Sequence, residues 1–459
     1  MLYPIKELNI SYLNHLREHP ERASMQLENL ISFLLARKCT FRGEVMPTLL
    51  KPNFISPKQT SGLISSVEIM SRILDKFVHY YLRNEKVRSI MKFSNRENEL
   101  FSIDPGYNKT LVISRLDAFL NDYSVKFLEF NCDSPAGIAY ADVLEEGFQE
   151  LFKEYPFLVD WKIQSIQRQE LLLGSLLKCY GQFRSRIKGM PEKPLIAIVD
   201  WKDVSTYSEF QLHEKHFRRE GYETIIASPQ DFSVKNGKAY VKDREVHLVY
   251  RRVILRELLE KWDETTEFVE CIKAGLVCCC NSFRSYIVGN KKVLTLITDP
   301  RFQGIYSKKE LEVIGNTIPW TQILADSEVS YANRKVGLRD FVLEHKNKLV
   351  LKPANLYGGK DVYIGHETDP GTWEQIMNEH IHDESWVVQK YVNTPRDTYP
   401  VIDHSILFKP KYVNINPFAL MGKYSGTITR VSDHSVINVS AGGGLVPTLT
   451  VQKKSSAKD

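Results

Sequence analysis

Hydrophobic residues recur three and four positions apart through MQLENLISFLLARK and SSVEIMSRILDKFVHYYLR, the repeat that lays one apolar stripe along a helix. The spacing predicts a helical region over residues 1–95. From about residue 110 the period shortens to two. TLVISRLDAFL, the turn residues Asn121 and Asp122, and VKFLEFNCDSPAG predict two short strands joined as a hairpin. Alternation then puts Arg115 and Asp117 on one face of the first strand, and Glu129 and Asn131 on one face of the second.

A long helical stretch is predicted over 141–188. The pattern next becomes βαβ-like: LIAIVDW is a continuous apolar strand, SEFQLHEKHFRREG a helix closed by Gly221, and ETIIAS a second strand. KNGKAYVKDREVHLVYRRV adds a hairpin about Asn236-Gly237 and a further buried strand, which together predict an open α/β subdomain over 193–290. Beyond it come a helix from Lys291 to Thr298, a turn before Pro319-Trp320, and an amphipathic helix near 333–346. The remainder, through KLVLKPANLYGGKDVYIG, SWVVQKYV and the strands of 411–450, reads as mostly β with glycine-rich turns, and KKSSAKD as a polar tail. The expected class is α/β (α+β), divided into 1–95, 96–192, 193–290, 291–450 and a tail over 451–459.

The length of 459 residues allows two to four globular units at about 150 residues each. Hydrophobic and charged shares of 43% and 25% are those of an ordinary globular protein and exclude bulk disorder. Lys plus Arg of 61 against Asp plus Glu of 56 leaves only +5, too little and too dispersed for nucleic acid as main partner, although a small anionic ligand fits. The seven cysteines form no Cys-x-x-Cys pair, so reduced thiols are expected. Cys278, Cys279 and Cys280 are adjacent on a strand, alternate faces and cannot all meet one ion, so they read as buried core. The N-terminus has no basic segment leading into an apolar one, and no stretch approaches the ~20 apolar residues of a membrane span. A cytoplasmic protein is expected.

The candidate chemistry begins at Arg115-Leu-Asp117 and Glu129-Phe-Asn131. Two carboxylates and an amide oxygen on paired strands are hard oxygen ligands suited to Mg²⁺, and an arginine beside them suits a phosphoryl group in transfer. Alternating charge on a surface hairpin is the plain alternative, but the turn Asp133-Ser134-Pro135-Ala136-Gly137 that follows at once favours a site. LVLKPANLYGGKDVYIG supplies Lys352 at a strand end and a loop with Gly358 and Gly359, whose N–H groups can approach phosphates. It is not a Walker A loop, since Gly359-Lys360 is followed by Asp361 and a strand. SWVVQKYVN emerges at Gln389, Lys390 and Tyr391, where a strand end can meet an adenine edge. Lys291 opens a helix, and lysine and helix dipole both favour phosphate there. In GTITRVS, Arg430 shares a face with the apolar Ile428, which implies a partner for its charge.

Together these pieces resemble the ATP-grasp superfamily, whose chains carry a first lysine, then a lysine with a glycine-rich loop, a hinge strand, and last an Arg-x-Asp and Glu-x-Asn strand pair. Here RLD and EFNCDSPAG come first and GNKK, LVLKPANLYGG and VVQKYV later, an order that looks like a circularly permuted ATP-grasp. The chain is similar to the glutathionylspermidine synthase-like group over roughly 105–450, with LIAIVDW, LVYRRV, NSFRSYIVGNKK and IPWT as further matching stretches. No amidase-type domain is expected, and RVSDHSVINVSAGGGLVP looks more like the wider permuted group. The resemblance implies a permuted ATP-grasp with a pre-ATP-grasp α/β subdomain and a helical N-terminal region. It implies an ATP-dependent carboxylate–amine ligase acting through an acyl phosphate, with a non-catalytic nucleotide-binding protein of the same fold as the alternative. ATP and Mg²⁺ are the implied cofactors, with a small amino-acid or peptide-like carboxylate and an amine as partners. By the same resemblance Asp117, Glu129 and Asn131 hold Mg²⁺ and Arg115 acts on the phosphoryl group. Lys291 and Lys352 hold phosphates, Gly358 and Gly359 form a lid, and Gln389, Lys390 and Tyr391 the adenine hinge. Ser134, Arg430, Asn438 and Gly443 complete the expected substrate-binding set.

Overall fold

The computed structural model describes residues 3–454 apart from 333, 357, 404, 438, 440 and 441. Its backbone is an eight-stranded sheet in which Asn53–Ile55, Gly444–Lys453, Lys423–Ser432, Ile406–Leu420, Ile113–Asn121 and Ser124–Asn131 lie side by side in that order. Arg396–Ile402 and Trp161–Gln164 pair onto it off this path. The predicted hairpin is present: Ile113–Asn121 and Ser124–Asn131 pair antiparallel, and Asp122 turns the chain at φ +50°. A long helix, Pro57–Arg83, contacts this sheet. Its start is specified locally by Ser56, whose hydroxyl accepts from Gln59 N while the Gln59 side chain reaches back, a cap stabilising the helix by about 1 kcal/mol.

The strands predicted within 193–290 form a parallel sheet ordered Cys278–Cys280, Leu248–Arg251, Ile196–Val199, Thr224–Ala227. It is buried on both faces, as its unbroken apolar runs require. Cys279 packs into one large core cluster and Cys278 and Cys280 into the other, so the alternation of the three cysteines is realised. All seven cysteines are buried free thiols. A third layer is the antiparallel sheet Thr321–Ile323, Trp386–Lys390, Leu349–Pro353, Tyr363–Ile364, with its own core around Trp373.

Four local expectations change. The helical stretch over 141–188 is two helices, Ile138–Phe152 and Arg168–Arg184, parted by the strand Trp161–Gln164. Pro156 cannot continue the first helix, and the alternating WKIQ pairs with the final strand. In the N-terminal region Asn53–Ile55 is extended between Pro52 and Pro57, pairs parallel with 448–450, and ties this region to the main sheet. The helix near 333–346 begins only at Leu338, because Glu328–Tyr331 and Arg334–Gly337 form a hairpin before it. The section read as mostly β also contains the helix Pro370–His380, N-capped by Asp369 with proline in its first turn. The last strand runs through Lys453, and residues 455–459 of the expected tail lie outside the described residues.

Candidate functional site

The hairpin sets Arg115 opposite Asn131 and Asp117 opposite Glu129, so the four polar side chains share one face as the alternation requires. Arg115 grips Asp117 with Nε to Oδ1 at 2.8 Å and Nη2 to Oδ2 at 3.2 Å, and donates Nη1 to the Ala136 carbonyl at 2.9 Å. Arg430 reaches the same carboxylate, Nη1 to Oδ2 at 3.0 Å. Its strand is two strands away from that of Glu129, with Ile406–Leu420 and Ile113–Asn121 between them. Burial and the neighbouring Arg115 lower the Arg430 pKa, and Asp117 and Glu129 oppose that shift.

Glu129 faces the third layer. Lys291 Nζ stands 3.2 Å from its Oε2 and also donates to the Leu356 carbonyl, and Asn131 Nδ2 lies 3.4 Å from Oε1. Burial alone would raise the Glu129 pKa, but the ammoniums of Lys291 and Lys352 outweigh it and hold the carboxyl near 2. Lys352 is buried and donates to the Leu128 carbonyl and to Gln389 Oε1, each at 2.9 Å. Burial and Lys291 push its pKa down to about 7, against the pull of Glu129. Two lysines and two arginines thus face two carboxylates, a surplus of cationic groups that suits a polyphosphate.

A cleft runs between the hairpin and the third layer. It is lined by Asp117, Glu129, Lys352, Gln389, Lys390 and Tyr391, by Gly358 and Gly359 at positive φ, and by the apolar walls of Phe119, Val350 and Ile364. The N–H groups of Lys390 and Tyr391 are already bonded to the Trp320 and Lys348 carbonyls, and Trp386–Lys390 is paired on both sides, so a base here meets chiefly apolar walls. A second cavity lies on the other side of the guanidinium pair and shares Arg430 with the first. Ser134 lines neither cavity, and its Oγ is buried without a partner among the described residues. Gly443 is buried and also lines neither, and Asn438 lies outside the described residues.

Several positioning groups went unread in the sequence. Asn281 accepts from Val112 N at 3.1 Å and Ile113 N at 2.8 Å and donates to the Ile113 and Cys132 carbonyls, pinning both ends of the hairpin. Arg251 and Leu255 N hold the Asp133 carboxylate, and Arg252 donates to the Pro135 carbonyl. Glu209 accepts from Gly137 N at 2.7 Å and Ala139 N at 3.2 Å, closing the turn 133–137 from below. Two adjacent arginines ending the apolar run LVY were the available signal.

Among the described residues no group of three or more His, Cys, Asp and Glu side chains is placed to hold a metal ion. Glu129 supplies a hard oxygen donor at the cleft and fits Mg²⁺ carried in with phosphates, while Asn131 is buried beside Glu129 and lines neither cavity. Asp117 has both oxygens engaged by arginines.

No protein-family model matches the chain, and no curated protein matches it. Among solved structures it is similar to a glutathione synthetase-like effector from Globodera pallida, at 11% identity over 94% of this chain and 97% of that one, with a TM-score of 0.64. That likeness is one of fold, a mixed α/β architecture. A putative gamma-glutamylcysteine synthetase from Methylobacillus flagellatus KT matches at 10% identity over 85% of each chain, with a TM-score of 0.40. A D-cycloserine synthetase matches at 15% over 57% of this chain and 76% of that one, with a TM-score of 0.29. No helix among the described residues is long and apolar enough to cross a membrane.

Proposed function

We propose that the chain is a cytoplasmic, ATP-dependent carboxylate–amine ligase of the permuted ATP-grasp type. The observation that carries this reading is the cleft between two sheets lined by Asp117, Glu129, Lys352 and Arg430, with Lys291 paired to Glu129 and Arg115 paired to Asp117. The fold likeness to a glutathione synthetase-like effector supports it.

In this reading the base lies between Phe119, Val350 and Ile364 at the Gln389–Tyr391 hinge, with Gly358 and Gly359 over the phosphates held by Lys291 and Lys352. A carboxylate oxygen of the acceptor attacks the γ-phosphorus, the bond to the bridging oxygen breaks, and its electron pair leaves with ADP. The amine then attacks the acyl carbon, the bond to phosphate breaks, and the nitrogen gives up a proton. Mg²⁺, held by Glu129 with the phosphates, supplies charge neutralisation. Arg115 and Arg430 stabilise the phosphoryl and acyl-phosphate oxygens where charge develops, and Asp117, expected as a metal ligand, serves to fix these two guanidiniums. Ser134 and Gly443 shape the turn and the glycine segment near the acceptor. The test is Mg²⁺-dependent ADP release with pooled acids and hydroxylamine as the amine, reading hydroxamate by mass spectrometry. Nucleotide binding with no ADP release from any acid–amine pool would leave a non-catalytic nucleotide-binding protein instead.

A further inference from the structure

The second cavity has a composition unlike the first. Arg115 and Arg430 stand at its inner end, and Met46, Phe41, Ile428, Leu445 and Tyr140 form its walls, with Thr206 as the further polar side chain. Among the described residues the lining carries no carboxylate. Of the Arg430 nitrogens only Nη1 is bonded to protein among the described residues, so the guanidinium keeps donors for a ligand.

Two of the apolar wall residues, Phe41 and Met46, come from the N-terminal region, for which the sequence suggested no role. Its short hairpin, Thr40–Phe41 with Glu44–Val45, is held over the cavity by named contacts. Arg42 N donates to the Ser205 carbonyl at 3.0 Å, Ser208 Oγ donates to the Thr40 carbonyl, and Tyr140 Oη meets Ser208 Oγ at 2.9 Å. Behind it Leu445 N donates to the Pro47 carbonyl at 2.8 Å, so Met46 and Leu445 are fixed against each other's segments. The wall is therefore preformed.

We propose that this cavity binds the acceptor acid, and that the hairpin makes it select a carboxylic acid with an apolar body and no free α-ammonium, such as an N-acylated apolar amino acid or an aryl-substituted alkanoic acid. The choice of class follows from charge and solvation. A carboxylate at Arg115 and Arg430 is paired, and its body then lies against Met46, Phe41 and Ile428. An α-ammonium two bonds from that carboxylate would sit beside two guanidiniums with no lining carboxylate to receive it, and a second acidic group would be buried against apolar walls. The proposal rests on the ligase reading for the fate of the acid, but the binding itself does not.

The test pairs calorimetric binding with ADP release, using N-acetylphenylalanine, 3-phenylpropionate, free phenylalanine and N-acetylglutamate as the acids. N-acetylphenylalanine and 3-phenylpropionate should bind about tenfold or more tightly than the other two, in the range that an apolar pocket delivers. Phe41→Ala should weaken both apolar acids severalfold and Phe41→Leu restore most of the loss, with nucleotide affinity unchanged. Preferential binding of free phenylalanine or N-acetylglutamate, or binding indifferent to Phe41, overturns the assignment, as does no binding of any acid. Binding of the apolar acids without ADP release would uphold the cavity assignment and defeat the ligase reading. Turnover of N-acetylglutamate alone would do the reverse.

Discussion

Arg430 and Asp117 meet at 3.0 Å although the strand Ile406–Leu420 separates their own strands. Asp117 is thereby the common counter-ion of Arg430 and Arg115, two guanidiniums that repel each other in a largely buried place. Removing its charge strands both. Asp117→Asn should therefore lower unfolding free energy by about 3 kcal/mol even in metal-free protein, as for a buried ion pair broken on one side. Urea denaturation with and without Mg²⁺ checks this. A stability unchanged without metal and an effect confined to Mg²⁺ dependence would return Asp117 to the metal set.

Lys352, with its pKa near 7, gives nucleotide binding a pH dependence whose sign is fixed. A polyphosphate favours the ammonium form, so above about pH 7 binding must take up a proton, and affinity should fall as pH rises toward about 9, by at most about tenfold per unit. Lys352→Arg, always charged, should flatten that slope. Lys352→Ala should weaken a nucleotide analogue at every pH and by more than Lys360→Ala, since Lys360 is exposed beyond the two glycines. An equal ranking of the two alanine variants would misplace the loop.

The hairpin was legible in the sequence because one strand pair with a two-residue turn carries its whole register in local alternation: Arg115, Asp117, Glu129 and Asn131 need nothing distant to share a face. The parallel sheet was legible for the same reason, its strands being unbroken apolar runs. What failed was non-local. Asn53–Ile55 and Trp161–Gln164 are too short for periodicity to reveal, and both become strands by pairing with the final strand, some 290 to 400 residues away. The strand order that brings Arg430 to Asp117 was likewise not legible, since it is set by chain crossings that alternation does not encode. Glu209, Arg252 and Asn281 were invisible as site residues because they act on backbone groups rather than on a ligand.

Lys291 and Lys352 hold the Glu129 carboxyl well below the usual carboxylate range, so it remains a carboxylate at neutral pH. Its charge plays two opposing parts: it attracts a divalent cation and it repels phosphate. Glu129→Gln should leave binding of metal-free nucleotide analogue as tight as before or tighter, while Mg²⁺-dependent ADP release falls by the order of 10²-fold. Parallel titrations with and without Mg²⁺ measure both. A variant weakened equally in the two titrations would show that Glu129 positions Lys291 and holds no metal.

The last prediction concerns Glu209, which is buried and lines neither cavity. Its carboxylate accepts from Gly137 N and Ala139 N and faces Arg252 at 3.4 Å, while Arg252 donates to the Pro135 carbonyl. Between those anchors sits the Ala136 carbonyl, which receives Arg115 Nη1 at 2.9 Å. Glu209 thus sets where Arg115 points through three residues of backbone. Glu209→Gln keeps an acceptor for the two N–H groups, so it should fold, with a loss of about 1–3 kcal/mol from the weakened contact to buried Arg252. Glu209→Ala leaves those N–H groups and Arg252 unpaired and should cost more. In the folded Gln variant the defect should fall on kcat for phosphoryl transfer, with KM for ATP nearly unchanged, because the nucleotide is held by Lys291 and Lys352 on the other side of Asp117. Steady-state ADP release at saturating and limiting ATP separates the two constants. A Gln variant that is destabilised yet turns over at the wild-type rate would make Glu209 a structural cap of the Ile138–Phe152 helix with no hold on Arg115.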